Sequence, residues 1–413
     1  MSPVAALSTE LPRVLGADAL VPLSDGGSVP YANLDYAASA PCLEQVQDAI
    51  ARALPYYSSV HRGAGYASQV TTRAYEQARE TVRAFLNAWE KDSVVFTRNT
   101  TDAMNLLAHA VPKGTTVVVF ESEHHATLLP WRRPVRLPSP DSPQQAIAAA
   151  DRALATAPEG PRLLVVTAAS NVTGELWPLA ELAQVARRNG ARIAVDAAQL
   201  VPHRPLDMRA LDLDYVAFSG HKLYAPFGAG VLAGRSDWLR AADPYLKGGG
   251  ASAHVDDRTV WSTDPQQRHE AGTPNVLGVI ALAAACDTLS QTGWDSLVEE
   301  EERLLARLRE GLSGIPGVRQ LGLWDVRHPR VGIVSFVVDG WNAQEVALTL
   351  SSEHGIGVRD GKFCAHPLVT RLLGEAGGCA EGRGTAVRAS IGVGSTTEHI
   401  DRLVTAVRGL TGC

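Results

Sequence analysis

The chain has 413 residues, of which 45% are hydrophobic and 20% are charged, and its net charge at pH 7 is −6. This is the composition of an ordinary soluble globular protein that is long enough for two domains. No run is rich in lysine or arginine, so the charge pattern does not point to nucleic acid or an anionic membrane as a partner.

Targeting signals and cysteine usage indicate a cytoplasmic protein. No apolar stretch reaches membrane-spanning length, and residues 1–10 lack the basic start and apolar run of a signal peptide. The five cysteines are odd in number and widely scattered, which argues against a disulfide framework. We therefore expect the reducing environment of the cytoplasm.

The first third of the chain alternates predicted helices and strands. A helix is expected over residues 44–54, and helical spacing of apolar residues predicts a long amphipathic helix over residues 69–87. A strand over residues 93–97 leads into Thr100 and Thr101, which open a helix. Hydroxyls and free amides at a helix start attract anions, so this is a candidate phosphate site, with a plain threonine cap as the alternative.

A second strand, residues 116–120, is followed by His124 and His125. Adjacent histidines suggest a metal site or a platform for a ring. Zinc is disfavoured, because no Cys or His partner lies at the usual spacing of two to four residues. We predict no metal site.

The centre of the chain carries the strongest chemical signal. Buried strands end at Asp196 and just before Lys222, and parallel neighbours would bring this acid and this amine to one sheet edge, where ligands of open α/β sheets bind. Apolar surroundings would lower the pKa of Lys222, as a Schiff-base lysine requires. Ser219 and His221 flank the turn and are candidates for holding a phosphate. The pairing suits pyridoxal phosphate, whereas the ordinary alternative is a surface lysine and a helix-capping aspartate.

The order of elements predicts an α/β fold in two domains. About seven strands alternate with helices up to an antiparallel strand at residues 230–233, which favours a mostly parallel seven-stranded sheet covered on both faces. After residue 285 the pattern changes to that of a smaller α+β unit. We expect a large α/β domain over residues 31–285 and a small domain formed by residues 1–30 and 286–413.

Nine short motifs occur in an order that resembles the cysteine desulfurases of the class V aminotransferase group, within the fold-type I pyridoxal-phosphate enzymes. The resemblance runs from about Leu34 to Val407, and any one motif is weak whereas the ordered set is specific. The motifs are Leu34-Asp35-Tyr36-Ala37-Ala38, His61-Arg62-Gly63, Phe96-Thr97-Arg98-Asn99-Thr100-Thr101, Glu123-His124-His125-Ala126, Ser170-Asn171-Val172-Thr173-Gly174, Val195-Asp196-Ala197-Ala198-Gln199, Ser219-Gly220-His221-Lys222-Leu223-Tyr224, Glu270-Ala271-Gly272-Thr273-Pro274-Asn275 and Gly357-Val358-Arg359-x-Gly361-x-x-Cys364-Ala365-x-Pro367.

The resemblance implies a role for each candidate cofactor-binding residue. Lys222 would bind the cofactor covalently, Asp196 would pair with its ring nitrogen, Gln199 with its ring hydroxyl, and His124 would stack on the ring. The phosphate would be held by Thr100, Thr101, Ser219 and His221 and, from a partner subunit, by Thr273. This last residue makes a homodimer an implied requirement.

The resemblance also implies substrate and sulfur sites. Asn171 and Arg388 would bind the carboxylate of L-cysteine, with Arg359 near the same end, and Cys364 would accept the sulfur as a persulfide. The cysteine follows Gly361 without a long inserted loop, which resembles the subgroup expected to need a separate sulfur-acceptor protein. Phe363 and His366 replace the more usual polar neighbours, and Phe227 stands where a small hydroxyl residue is common.

Cys379 and the substrate leave alternatives open. Cys379 lies in a glycine-rich segment, where it is either a persulfide relay or, as we favour, an ordinary loop cysteine. The same cofactor would also serve a selenocysteine lyase, or a C–S lyase, aminotransferase or epimerase acting on a specialised amino acid. A cofactor-free binding protein or a metalloprotein leaves the ordered motifs unexplained.

Overall fold

The computed structural model of the protein describes residues 11–375 and 384–412. The strands in these residues are β1 Leu20–Pro22, β2 Ser28–Pro30, β3 Ala32–Asn33, β4 Ser93–Thr97, β5 Thr116–Phe120, β6 Val135–Leu137, β7 Arg162–Thr167, β8 Arg192–Asp196, β9 Tyr215–Ser219, β10 Gly230–Gly234, β11 Ser252–Val255, β12 Thr259–Trp261, β13 Val318–Gln320, β14 Ile333–Val338, β15 Ile356–Gly357, β16 Arg359–Gly361 and β17 Ala386–Ser390.

The α-helices lie between these strands and after the last one. They are α1 Glu44–Ala53, α2 Tyr66–Phe85, α3 Thr100–Ala110, α4 His125–Leu128, α5 Pro143–Ala155, α6 Leu179–Arg188, α7 Ser236–Ala241, α8 Pro265–His269, α9 Val276–Thr292, α10 Trp294–Ser313, α11 Ala343–His354, α12 His366–Glu375 and α13 Thr397–Leu410.

The large sheet has seven strands in the order β4-β10-β9-β8-β7-β5-β6. Strands β9, β8, β7, β5 and β6 pair in parallel, whereas β10 is antiparallel to both β4 and β9. This confirms the predicted mostly parallel sheet and its antiparallel strand near residue 230. The edge strand β6 has no predicted counterpart, because it is only three residues long and its first two residues are exposed.

Both faces of the large sheet are buried under helices. In β5, Val117 and Val119 join the core shared with α3, while Val118 and Phe120 join the core on the opposite face. Successive side chains of a strand point to opposite faces, so strands covered on both sides read as continuous apolar runs. The apolar run of residues 117–120 in β5 therefore reflects a sheet that is covered on both faces.

A smaller antiparallel sheet, ordered β13-β14-β17-β16, has a core of its own with α10, α11 and α13. The N-terminal segment reaches it as well, since β3 pairs in parallel with β15 and Asp35 forms a bridge with Ser390. The smaller α+β unit is thus present. The domain limits stay a prediction, and α9 runs through the expected limit at residue 285 while packing on α1 and α2.

Several predicted elements differ in their bounds. The long helix begins at Tyr66 and ends at Phe85 rather than spanning residues 69–87. Helix α5 is capped by Ser142, which accepts the Gln145 amide at 3.1 Å. In the described part of the chain no single helix is long and apolar enough to cross a membrane. One pair, α9 with α10, passes that test when taken together, bent by 87°.

A buried ion pair joins α2 to the segment after α8. The Arg79 and Glu270 side chains are 3% and 6% exposed, and Nη1 lies 2.8 Å from Oε1. Glu270 also accepts the Phe96 amide at 2.7 Å and the Tyr75 hydroxyl at 2.8 Å. One carboxylate therefore satisfies donors from α2 and β4.

We predict that Glu270→Ala lowers the free energy of unfolding by about 3–5 kcal/mol, because it removes the buried carboxylate that compensates the buried Arg79 guanidinium. The measurement is urea unfolding followed by circular dichroism. Glu76→Ala is the matched control, since Glu76 pairs with the same Arg79 at 3.0 Å but is 44% exposed, and its expected cost is about 0–1 kcal/mol. Equal losses in the two variants would contradict the prediction.

Candidate active site

One cavity lies where the parallel strands of the large sheet end. Twelve of the thirteen predicted site residues line it, namely Thr100, Thr101, His124, Asn171, Asp196, Gln199, Ser219, His221, Lys222, Arg359, Cys364 and Arg388. The thirteenth, Thr273, is exposed on the segment before α9 and is not among the lining residues. The carboxyl ends of parallel strands meet at one sheet edge, which is why residues so far apart in sequence converge here.

Lys222 lies in the short turn that follows β9. Burial disfavours the ammonium form and lowers the pKa of Lys222 to about 8, while the nearby Asp196 carboxylate opposes this shift and the Arg388 guanidinium adds to it. A substantial fraction of the amine is therefore neutral near physiological pH. A neutral amine is the nucleophilic form of lysine.

Asp196 ends β8, the strand next to β9, and is 5% exposed. Its Oδ2 accepts the Thr127 hydroxyl at 2.6 Å and its Oδ1 accepts the Ala198 amide at 3.0 Å. These two donors hold the carboxylate in one orientation at the cavity wall. Thr127 has no predicted role, although it directly follows a quoted motif, because a contact between α4 and β8 leaves no pattern in the sequence.

His124 precedes α4 and is kept neutral by its surroundings. Burial, the Lys222 ammonium and neighbouring cationic groups lower the pKa of His124 to about 3. Its Nδ1 accepts the Ala126 amide at 3.1 Å, which leaves the ring proton on Nε2. The preceding Glu123 is fully buried, so its carboxyl pKa is raised well above the usual range.

A corner of hydroxyl groups forms where α3 begins beside the end of β9. Ser219 Oγ accepts the Thr100 amide at 2.8 Å and lies 2.7 Å from Thr100 Oγ1, and Asn99 caps the helix. A side chain at Gly230 would bring its Cβ within 2.5 Å of the Asn99 Cα, so glycine is needed for this close approach. Hydroxyls at a helix start favour a bound anion. His221 contacts Ser39 Oγ at 2.8 Å on the same side.

The opposite wall belongs to the small sheet. Arg388 on β17 is 4% exposed, and it donates from Nη1 to the Asn171 carbonyl at 2.9 Å and from Nη2 to Asp35 Oδ1 at 3.3 Å. Burial lowers the pKa of Arg388, and Asp35 opposes the shift. Arg359 on β16 is more exposed and lies 4.0 Å from Asp35 Oδ2. Asp35 stands in the first quoted motif, but its sequence context shows no arginine partner.

Cys364 lies in the turn of residues 362–365, between β16 and α12, and is exposed. Phe363 and Cys364 both have left-handed backbones, with φ of 52° and 55°. The Phe363 carbonyl accepts the Asn171 side-chain amide at 2.7 Å, and the Cys364 carbonyl accepts the His125 amide at 2.7 Å. Asn171 therefore uses one of its two N–H bonds on this turn.

Phe227, a further departure from the expected motifs, does not line the cavity. Phe227 is 57% exposed and its carbonyl accepts the Asn275 side-chain amide. Cys379 falls outside the described residues. Within those residues, no group of three or more His, Cys, Asp and Glu side chains is arranged to hold a metal ion.

The fold and the lysine–aspartate pair at its sheet edge define an enzyme of the fold-type I transferase class. The family model "Aminotransferase class-V" matches residues 32–403, and the chain belongs to this family. A cysteine desulfurase of Klebsiella pneumoniae (strain 342) is 37% identical over 92% of this chain and 93% of its own length. One of Dickeya dadantii (strain 3937) is also 37% identical, over 91% and 90%.

Solved structures give the same picture. The apo structure of a cysteine desulfurase from Thermococcus onnurineus NA1 has a TM-score of 0.82 and 31% identity, covering 92% of this chain and 95% of that one. A cysteine desulfurase from Escherichia coli in its S-sulfonic acid form has a TM-score of 0.77 and 33% identity, covering 91% and 94%.

We predict that the Lys222 amine is half-labelled by acetic anhydride near pH 8 in protein freed of bound carbonyl compounds, because burial lowers its pKa. Peptide mass spectrometry gives the pH profile, with the exposed Lys113 as the internal control. Asp196→Asn should move the Lys222 midpoint to lower pH, since it removes a negative charge that favours the ammonium form. A Lys222 midpoint near the ordinary value of about 10.4 would contradict the prediction.

Proposed function

We propose that the protein is a pyridoxal-phosphate-dependent cysteine desulfurase that converts L-cysteine to L-alanine and carries the released sulfur as a persulfide on Cys364. The observation that carries the proposal is the convergence of Lys222, Asp196 and Cys364 on one cavity. The relatives named cysteine desulfurase over nearly the full chain support this activity. An aminotransferase or epimerase would not need the thiol.

The residues of the cavity fit the cofactor. Gln199 donates its Nε2 to the Ala37 carbonyl at 2.8 Å, while its buried Oε1 has no partner among the described residues and matches a ring hydroxyl. Lys222 would hold the aldehyde carbon, Asp196 the ring nitrogen and His124 the ring face. The corner at the start of α3 would hold the phosphate, through Thr100, Thr101, Ser219 and His221. When bound, the cofactor supplies an electron sink for the substrate's Cα electrons.

The chain's own groups then bind the substrate and move its protons. Arg388 and the free N–H of Asn171 are placed to receive the carboxylate of an amino acid, with Arg359 at the same wall. Lys222 is the base and acid at Cα, because a pKa of about 8 lets it both accept and return a proton near neutral pH.

Sulfur transfer falls to Cys364. Its thiolate forms an S–S bond with the substrate sulfur as the Cβ–S bond breaks, and the electrons of that bond stay with the carbon, which is protonated to give alanine. The products are alanine and an enzyme persulfide. The exposure of Cys364 supports onward transfer to the thiol of an acceptor protein.

A homodimer would complete the phosphate site with Thr273. The exposed position of this residue outside its own cavity supports a role in a partner's cavity. The exposed side chains of Tyr56 and Tyr57 line an apolar groove with Val276 and Leu277 at the start of the same helix α9, and this surface is suited to subunit contact. The described cysteines are unpaired, which fits a cytoplasmic enzyme.

Cys364→Ala tests the function directly. We predict that the wild-type protein, given pyridoxal phosphate, L-cysteine and a reductant, releases equal amounts of alanine and sulfide, and that Cys364→Ala loses both by more than 100-fold, on the order of the loss of an essential nucleophile. Cofactor absorbance should persist in the variant. Cys42→Ala, which changes a partly buried free thiol, is the control and should keep full activity.

Undiminished alanine from Cys364→Ala would replace the persulfide route with a lyase reaction. A strong preference of the wild-type protein for selenocysteine would point the same way. Absence of any cofactor absorbance would remove the proposed class of reaction altogether.

Subunit complementation tests the placement of Thr273. We predict that Thr273→Ala and Lys222→Ala homodimers are each impaired, whereas mixed dimers regain activity. In a mixed dimer one cavity combines the intact Lys222 of the Thr273→Ala chain with the intact Thr273 of its partner. The measurement is alanine formation after joint refolding, with the separately refolded variants as controls. No recovery in mixed dimers would place Thr273 in its own subunit's cavity or outside both.

A further inference from the structure

Phe363 links two parts of the site that the sequence presents as separate. Its ring centroid lies 5.0 Å from the Arg388 guanidinium carbon, its side chain is 8% exposed, and it lines the cavity. It is also the residue immediately before Cys364. One side chain therefore contacts the guanidinium that faces the substrate and belongs to the turn that carries the thiol.

The Arg388 guanidinium has N–H donors without an acceptor among the described residues, and the Phe363 ring restricts the directions from which a ligand can approach them. An arginine side chain has five N–H bonds. In Arg388, Nη1 and Nη2 each donate one hydrogen bond to a described acceptor, and the Nε–H has no described acceptor. The Phe363 ring covers the guanidinium on one side, so a ligand carboxylate reaches the remaining N–H groups from another side, where two parallel hydrogen bonds can form. The ring thus favours the geometry that holds an amino acid in one orientation.

The backbone of the turn needs support from its surroundings. Two successive non-glycine residues with left-handed backbones are strained. The hydrogen bonds from Asn171 and His125 to the two carbonyls offset part of this strain. The buried Phe363 ring is the third anchor, because a cation over an aromatic face is attracted to it.

We propose that Phe363 is a positioning residue that couples the orientation of Arg388 to the placement of Cys364. The proposal rests on the proposed function, and it assigns substrate selection to a position where this chain departs from the expected polar residue. The cation–π contact holds the guanidinium and the cysteine turn in one arrangement. A carboxylate bound to that guanidinium is then held at a fixed distance from the thiol.

Two substitutions separate the ring's electrostatic role from simple packing. Phe363→Leu keeps an apolar side chain but removes the aromatic face, whereas Phe363→Tyr keeps the face. Phe336→Leu is the matched control, because Phe336 is fully buried in the core of the small sheet and lies outside the cavity. Each is prepared as the cofactor-loaded enzyme, and its melting temperature is recorded.

The readouts are the KM and kcat for L-cysteine, the dissociation constant of L-alanine from the change in cofactor absorbance, and the rate at which iodoacetamide alkylates Cys364. In Phe363→Leu we expect KM and the alanine dissociation constant to rise on the order of tenfold, as the loss of a desolvated cation–π contact implies. Alkylation of Cys364 should become several-fold faster because the turn loosens. Phe363→Tyr should stay within about twofold of wild type in all three.

Three results would overturn the proposal. They are wild-type alanine affinity and alkylation in Phe363→Leu, an equal defect in Phe363→Tyr, or the same changes in Phe336→Leu. The alanine and alkylation measurements need no turnover of cysteine. If the wild-type enzyme binds alanine but makes none from cysteine, the proposed function is refuted. Alanine binding and Cys364 alkylation in the variants would still test the role of Phe363.

Discussion

The site depends on the electrostatic relation between the Lys222 amine and the Asp196 carboxylate. Burial pushes the amine toward its neutral form, while the carboxylate on the neighbouring strand keeps the shift moderate. Without the carboxylate the amine would be neutral over a wider pH range, and without burial it would be an ordinary surface ammonium. The parallel pairing of β8 with β9 maintains this balance, since it places both residues at one end of the sheet.

The two sheets contribute opposite walls. The large sheet supplies Lys222, Asp196 and the corner at the start of α3, whereas the small sheet supplies Arg359, Arg388 and the Cys364 turn. Residues 32–37 connect them, because β3 pairs with β15 and the Ala37 amide donates to the Ser390 hydroxyl at 2.9 Å. The groups proposed to bind the amino-acid carboxylate therefore come from both sheets, since Arg359 and Arg388 lie on the small sheet and Asn171 follows β7 of the large one.

Much of this arrangement could be predicted from local sequence signals. Continuous apolar runs marked β4 and β5 at their true bounds, and polar residues just after such runs marked the cavity. Other features depend on contacts between distant segments. The ties from Thr127 to Asp196 and from Asp35 to Arg388 join residues 69 and 353 positions apart, and no local periodicity encodes them. Helices α12 and α13 and the two-residue strand β15 depend likewise on the surface against which they pack.

The short turn between β16 and α12 limits how far a sulfur atom on Cys364 can travel. Four residues span at most about 14 Å when fully extended, and here both ends are anchored in secondary structure. A sulfur atom bound to Cys364 would therefore stay at the cavity that this residue lines. If Cys364 carries sulfur as proposed, an acceptor would have to bring its nucleophile to this fixed turn, and its fit to the enzyme surface around Cys364 would determine whether it can receive the sulfur.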